Sequence, residues 1–194
     1  CTSDGSALVR TCADSVFVQV AEHERARRGE AAEEGAAEPL SLLAEAVLFE
    51  AGGKAKTPSA DDILQCVIGF QQRGFRRFVL NGKLYTLPPL GDTPASGEDA
   101  PADEARKHFV EDIKKTGRIR SFTVVVDSFV FDVQEQGRFL EAAAAAQDAG
   151  SGVALIRPMR RRNGASRGAG LREETVSWQI SGGFRCPDCG RIFE

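Results

Sequence analysis

Apolar residues recur at two different spacings along the chain, and these spacings predict a succession of strands and helices. The segment DSVFVQV over 14–20 alternates enough to predict a short strand, whereas LSLLAEAVLFE over 40–50 is apolar at helical spacing. Residues 22–38, between them, are rich in Ala, Glu, Arg and Gly and contain no large apolar side chain. This composition cannot bury a face, so we expect either a solvated helix or a disordered insertion there.

A second helix is predicted over 59–73, followed directly by a β-hairpin. Ser59 is a suitable N-cap, and Gly74 stands where glycine commonly ends a helix. The β-rich runs FRRFVL and KLYTL flank Asn81-Gly82, a pair that tolerates the positive φ angles of a two-residue type I′ turn. We therefore predict a hairpin over 75–87.

The rest of the chain completes an α+β pattern. Hairpin-paired strands mixed with helices predict a mostly antiparallel sheet with packed helices, and the stretch 122–158 allows one parallel strand pair. The further elements are strands at 122–133, 153–158 and 174–180, a helix at 136–149, a loop insertion at 91–107 and a basic loop at 157–172.

Composition and charge exclude two classes of protein. The 194 residues include 25 basic and 28 acidic side chains, so the chain is not a polycation that coats nucleic acid. No window approaches 18 continuous apolar residues, which predicts that no segment spans a membrane. The first residues have no secretory-signal layout and no initiator Met, so we expect the chain to be a piece of a longer protein.

Cysteine usage predicts a reducing, cytosol-like compartment and one candidate metal site. Five cysteines are too few and odd in number for a disulfide scaffold, and Cys66 in an apolar helical run is most simply a small buried hydrophobe. Cys186 and Cys189 form CPDCG, in which two thiolates can reach one tetrahedral metal and the glycine permits a tight knuckle. Because a structural zinc site needs four ligands, we interpret this knuckle at the C-terminus as half of a zinc module. A redox pair is the alternative.

Two groups of arginines are candidate contacts. Arg160, Arg161 and Arg162 lie in the basic loop and are possible nucleic-acid contacts through phosphate, although a solvated loop is the plainer interpretation. Arg76 and Arg77 precede the hairpin turn and project to opposite strand faces, so at least one should be exposed. An exposed, rigidly held Arg is a plausible protein-contact anchor, and mere solubility is the alternative.

Sequence motifs of catalysis are not found. The chain contains no GxxxxGK[ST], no GxGxxG after a strand, no HExxH and no GxSxG. Its carboxylates show no recognisable catalytic spacing with a His or a second acid. We therefore interpret the chain as a binding or scaffolding module that carries no active site.

Four segments taken in order resemble the UvrA family, the damage-recognition subunit of the bacterial excinuclease ABC. They are QQRGFRRFVLNGKLYTLPPL, TVVVDSFVF, GRFLEAAAAAQDAGSGVALI and ISGGFRCPDCG, which cover roughly residues 60–90 and 118–190. Arg138, Leu140, Ala146 and Gly152 stand at the places that the family pattern expects. The chain departs from that pattern at Val79, Asn81 and Ser128, and in insertions at 22–57, 91–112 and 158–172.

The resemblance implies a UvrB-interacting domain followed by the start of a zinc module. It implies that 59–180 form the docking domain and 181–194 the first half of the zinc module, while 1–58 match poorly. Arg77, with Arg76 beside it, is then the candidate UvrB contact, and Cys186 and Cys189 are the first two zinc ligands. ATP and DNA binding would belong to the parent protein, a homodimeric repair ATPase in the cytoplasm or an organelle.

Two other functions stay open on the sequence alone. A stand-alone small protein could dimerise around zinc through its Cys knuckle and bind nucleic acid through the basic loop. A thiol-redox enzyme could use Cys186 and Cys189, in which case one of the two thiols should have a depressed pKa.

Overall fold

The computed structural model describes residues 9–31, 39–50, 57–90, 100–116, 118–150, 152–159, 176–181, 184–185 and 192–193. Within these ranges the helices are α1 (Ala13–Ala31), α2 (Ala60–Gln72), α3 (Ala100–Lys115) and α4 (Gln136–Ala149). The strands are β1 (Val9–Arg10), β2 (Ser41–Glu50), β3 (Arg77–Leu80), β4 (Lys83–Thr86), β5 (Ser121–Val130), β6 (Ala154–Met159), β7 (Trp178–Ile180), β8 (Phe184–Arg185) and β9 (Ile192–Phe193).

Two sheets organise these strands, and the α+β prediction is confirmed. One antiparallel sheet has the order β4-β3-β5-β2-β6-β7, and a small sheet has the order β1-β8-β9. Strands β5 and β6 are connected through α4, but β2 lies between them and pairs with β6 antiparallel. The parallel pair that the sequence allows within 122–158 is therefore not formed by β5 and β6.

The chain divides into two compact units, and the division falls within β2 and β5. The first unit contains α1, α4, β6 and β7 with the beginning of β2 and the end of β5. The second contains α2, α3, β3 and β4 with the beginning of β5 and the end of β2. No helix among the described residues is both long enough and apolar enough to cross a membrane.

Aromatic rings and alanines build the core of the first unit. The ring of Phe17 on α1 lies 5.4 Å from the rings of Phe131 and Phe139. On α4, three alanines are essentially inaccessible to solvent because this face packs into the core without projecting side chains. These alanines are Ala142, Ala143 and Ala146. Small side chains let a helix approach its neighbours closely, so these three alanines allow α4 to lie near the elements that it packs against.

The prediction of a strand over 14–20 is wrong, because this segment begins α1. Val16, Phe17 and Val20 are buried while Val18 is 54% exposed, which is the pattern of a helix face and not of alternation. The short window contains too few residues to separate the two periods. The helix continues to Ala31, so the solvated-helix alternative is confirmed up to that residue, and 32–38 lie outside the described residues.

The prediction of a helix over 40–50 is also wrong, because this segment is strand β2. Six consecutive residues, 42–47, are buried, as expected for a strand that is covered on both faces. A continuous apolar run of this length cannot be assigned to helix or strand by periodicity alone. Ala44, Glu45 and Ala46 favour a helix by propensity, but tertiary burial outweighs local propensity in this segment.

The loop predicted over 91–107 is wrong from residue 100, where α3 begins. Pro101 lies in the first turn, where its missing N–H removes no helical hydrogen bond. Among the side chains of α3 that the structure describes, those from Glu104 onward, the buried ones are Phe109 and Ile113, which lie one turn apart. The first turns of α3 are rich in acidic and small residues, and this composition led to the prediction of a loop. The buried side chains of Phe109 and Ile113 lie further along the helix.

The predictions for the remaining helices, the hairpin and the later strands are confirmed. Helix α2 lies within 59–73, the β3–β4 hairpin within 75–87, and α4 covers 136–149. Strands β5, β6 and β7 lie within or beside the predicted strands at 122–133, 153–158 and 174–180. Residues 160–175, which hold most of the predicted basic loop, lie outside the described residues.

A buried ion pair connects β2 and β6 in the first unit. Glu45 is fully buried, and the Nε atom of Arg157 lies 3.3 Å from its Oε1 atom. Arg157 stands opposite Leu43 in the β2–β6 register, so the arginine reaches Glu45 diagonally across two neighbouring strands. Removing one partner of such a pair leaves a charge in a poorly solvated place.

We expect Glu45→Leu to destabilise the chain by about 3–5 kcal/mol, because Arg157 would lose its counter-charge. Adding Arg157→Met should restore most of this loss, since two apolar side chains of similar volume remove both charges. Urea unfolding of the wild type, both single variants and the double variant measures the coupling. Additive effects of the two substitutions would contradict the role of the pair.

Candidate docking surface at the β3–β4 hairpin

The end of α2 directs the chain into the hairpin. Ser59 and Asp62 form a capping box at the start of the helix, and Gly74, with φ +91°, ends it. The N–H of Gly74 donates to the carbonyl of Gln71, and the N–H of Phe75 donates to the carbonyl of Phe70. These two bonds are those of a Schellman motif, and the rings of Phe70 and Phe75 pack 5.6 Å apart, as this motif favours.

The turn between β3 and β4 has the predicted geometry. Asn81 and Gly82 have φ angles of +49° and +83°, which a type I′ turn requires at both central positions. Leu80 pairs with Lys83 across the turn, so the loop contains two residues and the register of the hairpin is fixed.

The side chain of Asn81 fastens the turn to the start of β5. Its Oδ1 atom accepts hydrogen bonds from the N–H groups of Arg120 at 2.7 Å and Ser121 at 3.1 Å. Its Nδ2 atom donates to the carbonyl of Arg118 at 3.3 Å. An aspartate, which the resemblance expects at this position, could accept the first two bonds but could not donate the third. The departure at Asn81 therefore preserves the connection of the turn to β5.

A hydrogen-bonded group on α3 holds β4 from one face. The carboxylate of Asp112 accepts hydrogen bonds from the Tyr85 hydroxyl at 2.6 Å and the Lys83 ammonium at 2.5 Å. The bonds from Lys83 and Tyr85 keep the pKa of Asp112 below its usual value. Burial, with the nearby Asp112 carboxylate, raises the pKa of Tyr85. The rings of Tyr85 and Phe109 also meet edge to face with centroids 4.9 Å apart, so β4 is held by both polar and aromatic contacts.

The two candidate anchors lie at the base of the hairpin. Arg76 is exposed, and its Nε atom is 3.5 Å from the carbonyl of Leu87, just after β4. Arg77 is partly buried and pairs with Thr86. Val79, where the family pattern has a second arginine, is 1% exposed and pairs with Leu84 and Thr123. An apolar residue suits that position in this chain because a buried strand position disfavours an unpaired charge.

Two segments that resemble the family meet in the first unit. Arg138 of α4 forms an ion pair with Asp127 of β5 at 2.5 Å, and its guanidinium lies 5.3 Å from the centroid of the Phe129 ring. The carboxylate of Asp127 also accepts the N–H of Ser128. Asp127 and Arg138 come from TVVVDSFVF and GRFLEAAAAAQDAGSGVALI, so the pair connects both segments.

The other predicted site residues lie outside the described residues. These are Cys186 and Cys189 of the zinc knuckle and Arg160, Arg161 and Arg162 of the basic loop. Among the residues that the structure does describe, no three His, Cys, Asp or Glu side chains cluster closely enough to hold a metal ion. Burial raises the pKa of the Cys66 thiol, which favours its protonated form.

A cleft of about 430 Å³ in the first unit is a weaker candidate. Glu24 and Asp132 line it together with Arg25 and Arg28, so its charges largely balance. Burial of Glu24 raises its pKa, but hydrogen bonds from Arg27 and Arg28 outweigh this and keep it below the usual value. We therefore place the candidate site at the hairpin, where a strand edge coincides with an excess of basic side chains.

Sequence reasoning missed the partners of the hairpin. Asp112 contacts Tyr85, and the backbone of Arg118 contacts Asn81. In each case the two residues are about 30 to 40 positions apart in the sequence. No local spacing links these positions, since the contacts exist only once α3 and β5 are packed. The Asn81-Gly82 pair predicted the turn, but not what its side chain binds.

No family model matches the chain, and no curated protein matches it significantly.

We expect the stability of the chain to fall more steeply in acid than that of an Asp112→Asn variant. The pKa of Asp112 is lower in the folded than in the unfolded state, so its contribution is complete above the unfolded value of about 3.9 and is lost as pH falls through the folded value. Melting temperatures of both proteins between pH 7 and pH 2 measure this. Parallel curves over the whole range would contradict the role of the carboxylate.

Proposed function

We propose that this chain is a UvrB-docking domain of a UvrA-like ATPase in nucleotide excision repair. The proposal starts from four ordered segments that resemble the family. The Asp127–Arg138 ion pair supports it, because two of these segments meet through charged residues. In this proposal the domain acts as an adaptor in the cytoplasm or an organelle, while ATP hydrolysis, DNA binding and homodimer formation belong to the parent protein.

The observation that carries docking is a rigidly held outer hairpin with arginines at its base. The Schellman motif fixes the entry of the chain into β3, the Asn81 side chain fixes the turn, and Asp112 holds β4. A side chain on such a support loses little further freedom on binding, which favours affinity. Arginine is also among the residues that most often dominate protein interfaces. Arg77, with Arg76 beside it, is therefore the proposed UvrB anchor.

The zinc knuckle remains part of the proposal as a half-site. Two thiolates, Cys186 and Cys189, suit a tetrahedral zinc ion in softness and spacing but supply only half of its ligands. Zinc, where bound, would stabilise the fold of this segment and would take no part in a reaction. The arginines at 160–162 could add contacts to nucleic acid in the parent protein.

We expect Arg77→Ala to weaken binding to UvrB by about 1–3 kcal/mol, because the variant loses an interface anchor. Titration calorimetry with purified UvrB measures the Kd. Arg25→Ala, which removes an exposed arginine from α1, is the matched control and should leave the Kd unchanged. An unchanged Kd for Arg77→Ala would remove this residue from the interface.

We expect the monomeric chain to hold less than stoichiometric zinc after dialysis, because two thiolates leave half of the coordination sphere to weak ligands. Elemental analysis together with the molar mass from light scattering tests this. One zinc bound tightly per monomer would contradict the half-site. One zinc per two chains in a dimer would favour the alternative of a stand-alone, zinc-bridged protein.

A further inference from the structure

Strand β4 forms one edge of the six-stranded sheet. It pairs with β3 on its inner side, and no described strand pairs with its outer side. Helix α3 contacts β4 through Tyr85 and Lys83, whose side chains reach Asp112. Both of these contacts are made by side chains.

The register determines which backbone groups point outward. The N–H of Leu87 donates to the carbonyl of Arg76 at 2.8 Å, which makes this a hydrogen-bonded pair of the hairpin. In an antiparallel ladder, hydrogen-bonded and non-hydrogen-bonded pairs alternate. The pairs Leu84 with Val79 and Thr86 with Arg77 are therefore non-hydrogen-bonded. Consequently the N–H and C=O groups of Leu84 and Thr86 point away from β3.

Positive charge surrounds both ends of this edge. Lys83 begins β4. At the other end of the strand, the carbonyl of Arg76 accepts a hydrogen bond from Leu87, the residue that follows β4. At the turn, Arg118 and Arg120 are exposed, and their backbones bind Asn81. Lys83 and the Asp112 carboxylate form an ion pair whose charges cancel, so the arginines supply the excess positive charge near this edge. An approaching strand therefore meets an excess of cations.

We propose that β4 is a strand-addition site for an extended acidic segment of the partner. This inference rests on the proposed function, in which the partner is UvrB. The outward groups of Leu84 and Thr86 offer two donors and two acceptors, the main-chain contacts that strand addition uses. The basic residues at the ends select an acidic strand and steer its approach.

The same charges argue against self-association as the use of this edge. Two copies that paired through β4 would bring the arginines near the ends of this strand in each copy together. A lysine on a short edge strand is a common protection against pairing of identical edges. An acidic strand converts this repulsion into attraction, so the edge discriminates between partners.

Amide exchange measured by NMR on the whole chain tests the inference. The amides of Leu84 and Thr86 should exchange rapidly in the free chain and at least 10-fold more slowly when UvrB is bound. The amide of Tyr85, which points toward β3, is the internal reference and should be slow in both states. Binding should weaken at least 10-fold between 50 mM and 500 mM salt if the added strand is acidic.

Thr86→Pro removes one outward donor, and an edge strand tolerates proline where the N–H faces away from its neighbour. We expect this variant to lose at least 10-fold in affinity for UvrB, whereas Thr86→Val, which keeps the donor, should change it less than 2-fold. Circular dichroism checks the fold of both variants. If the proline variant does not fold, the amide exchange of the wild type decides alone.

The outcomes separate this inference from the function on which it rests. UvrB that binds the wild type without protecting Leu84 and Thr86 would overturn strand addition and leave docking intact. Protection without salt dependence would overturn the acidic character of the added strand. Failure of UvrB to bind the wild type would overturn both proposals.

Discussion

The burial of β2 on both faces is the constraint on which the rest of the chain depends. A strand that is covered on both faces must satisfy its backbone through neighbours on each side, and β5 and β6 supply them. The strand contributes residues to both compact units. Its one charged side chain in the buried run, Glu45, is accommodated because Arg157 of the neighbouring strand reaches it. The buried charge of Glu45 in the middle of the sheet is therefore tolerated because Arg157 pairs with it.

The conformation of the hairpin at the edge of the sheet is determined by local backbone geometry, whereas that of β2 is determined by burial. Two residues with positive φ angles reverse the chain, and a Schellman motif immediately before β3 sets the direction of entry. Long-range bonds then fix this local structure in place, from Asn81 to the start of β5 and from Asp112 to β4. A surface that is rigid before it binds loses less entropy in doing so, and this links the fold to the proposed docking role.

The sequence predicted those features that a few neighbouring residues determine by themselves. Ser59, Gly74 and Asn81-Gly82 predicted the cap, the helix end and the turn, since each acts within a few residues. The apolar run at 40–50 and the segment at 14–20 misled because burial on two faces and a half-solvated helix both weaken the expected periodicity. Of the candidate site, the hairpin and its arginines were predictable. The groups that hold it, Asp112 and the backbone around Arg118, were not, because only tertiary packing brings them near.

The alanine face of α4 has a consequence for how this chain can vary. Because Ala142, Ala143 and Ala146 are inaccessible to solvent, each leaves room for a methyl group and little more. A larger side chain there would force the helix outward from the layer beneath it, and the ring packing around Phe139 would open. Exchange of residues is therefore tightly restricted on this face of α4, whereas Ala144 and Ala145 on the other face are exposed. Divergence along this helix should therefore follow its two faces, with larger or charged side chains entering at the exposed alanines and small ones kept at the buried ones.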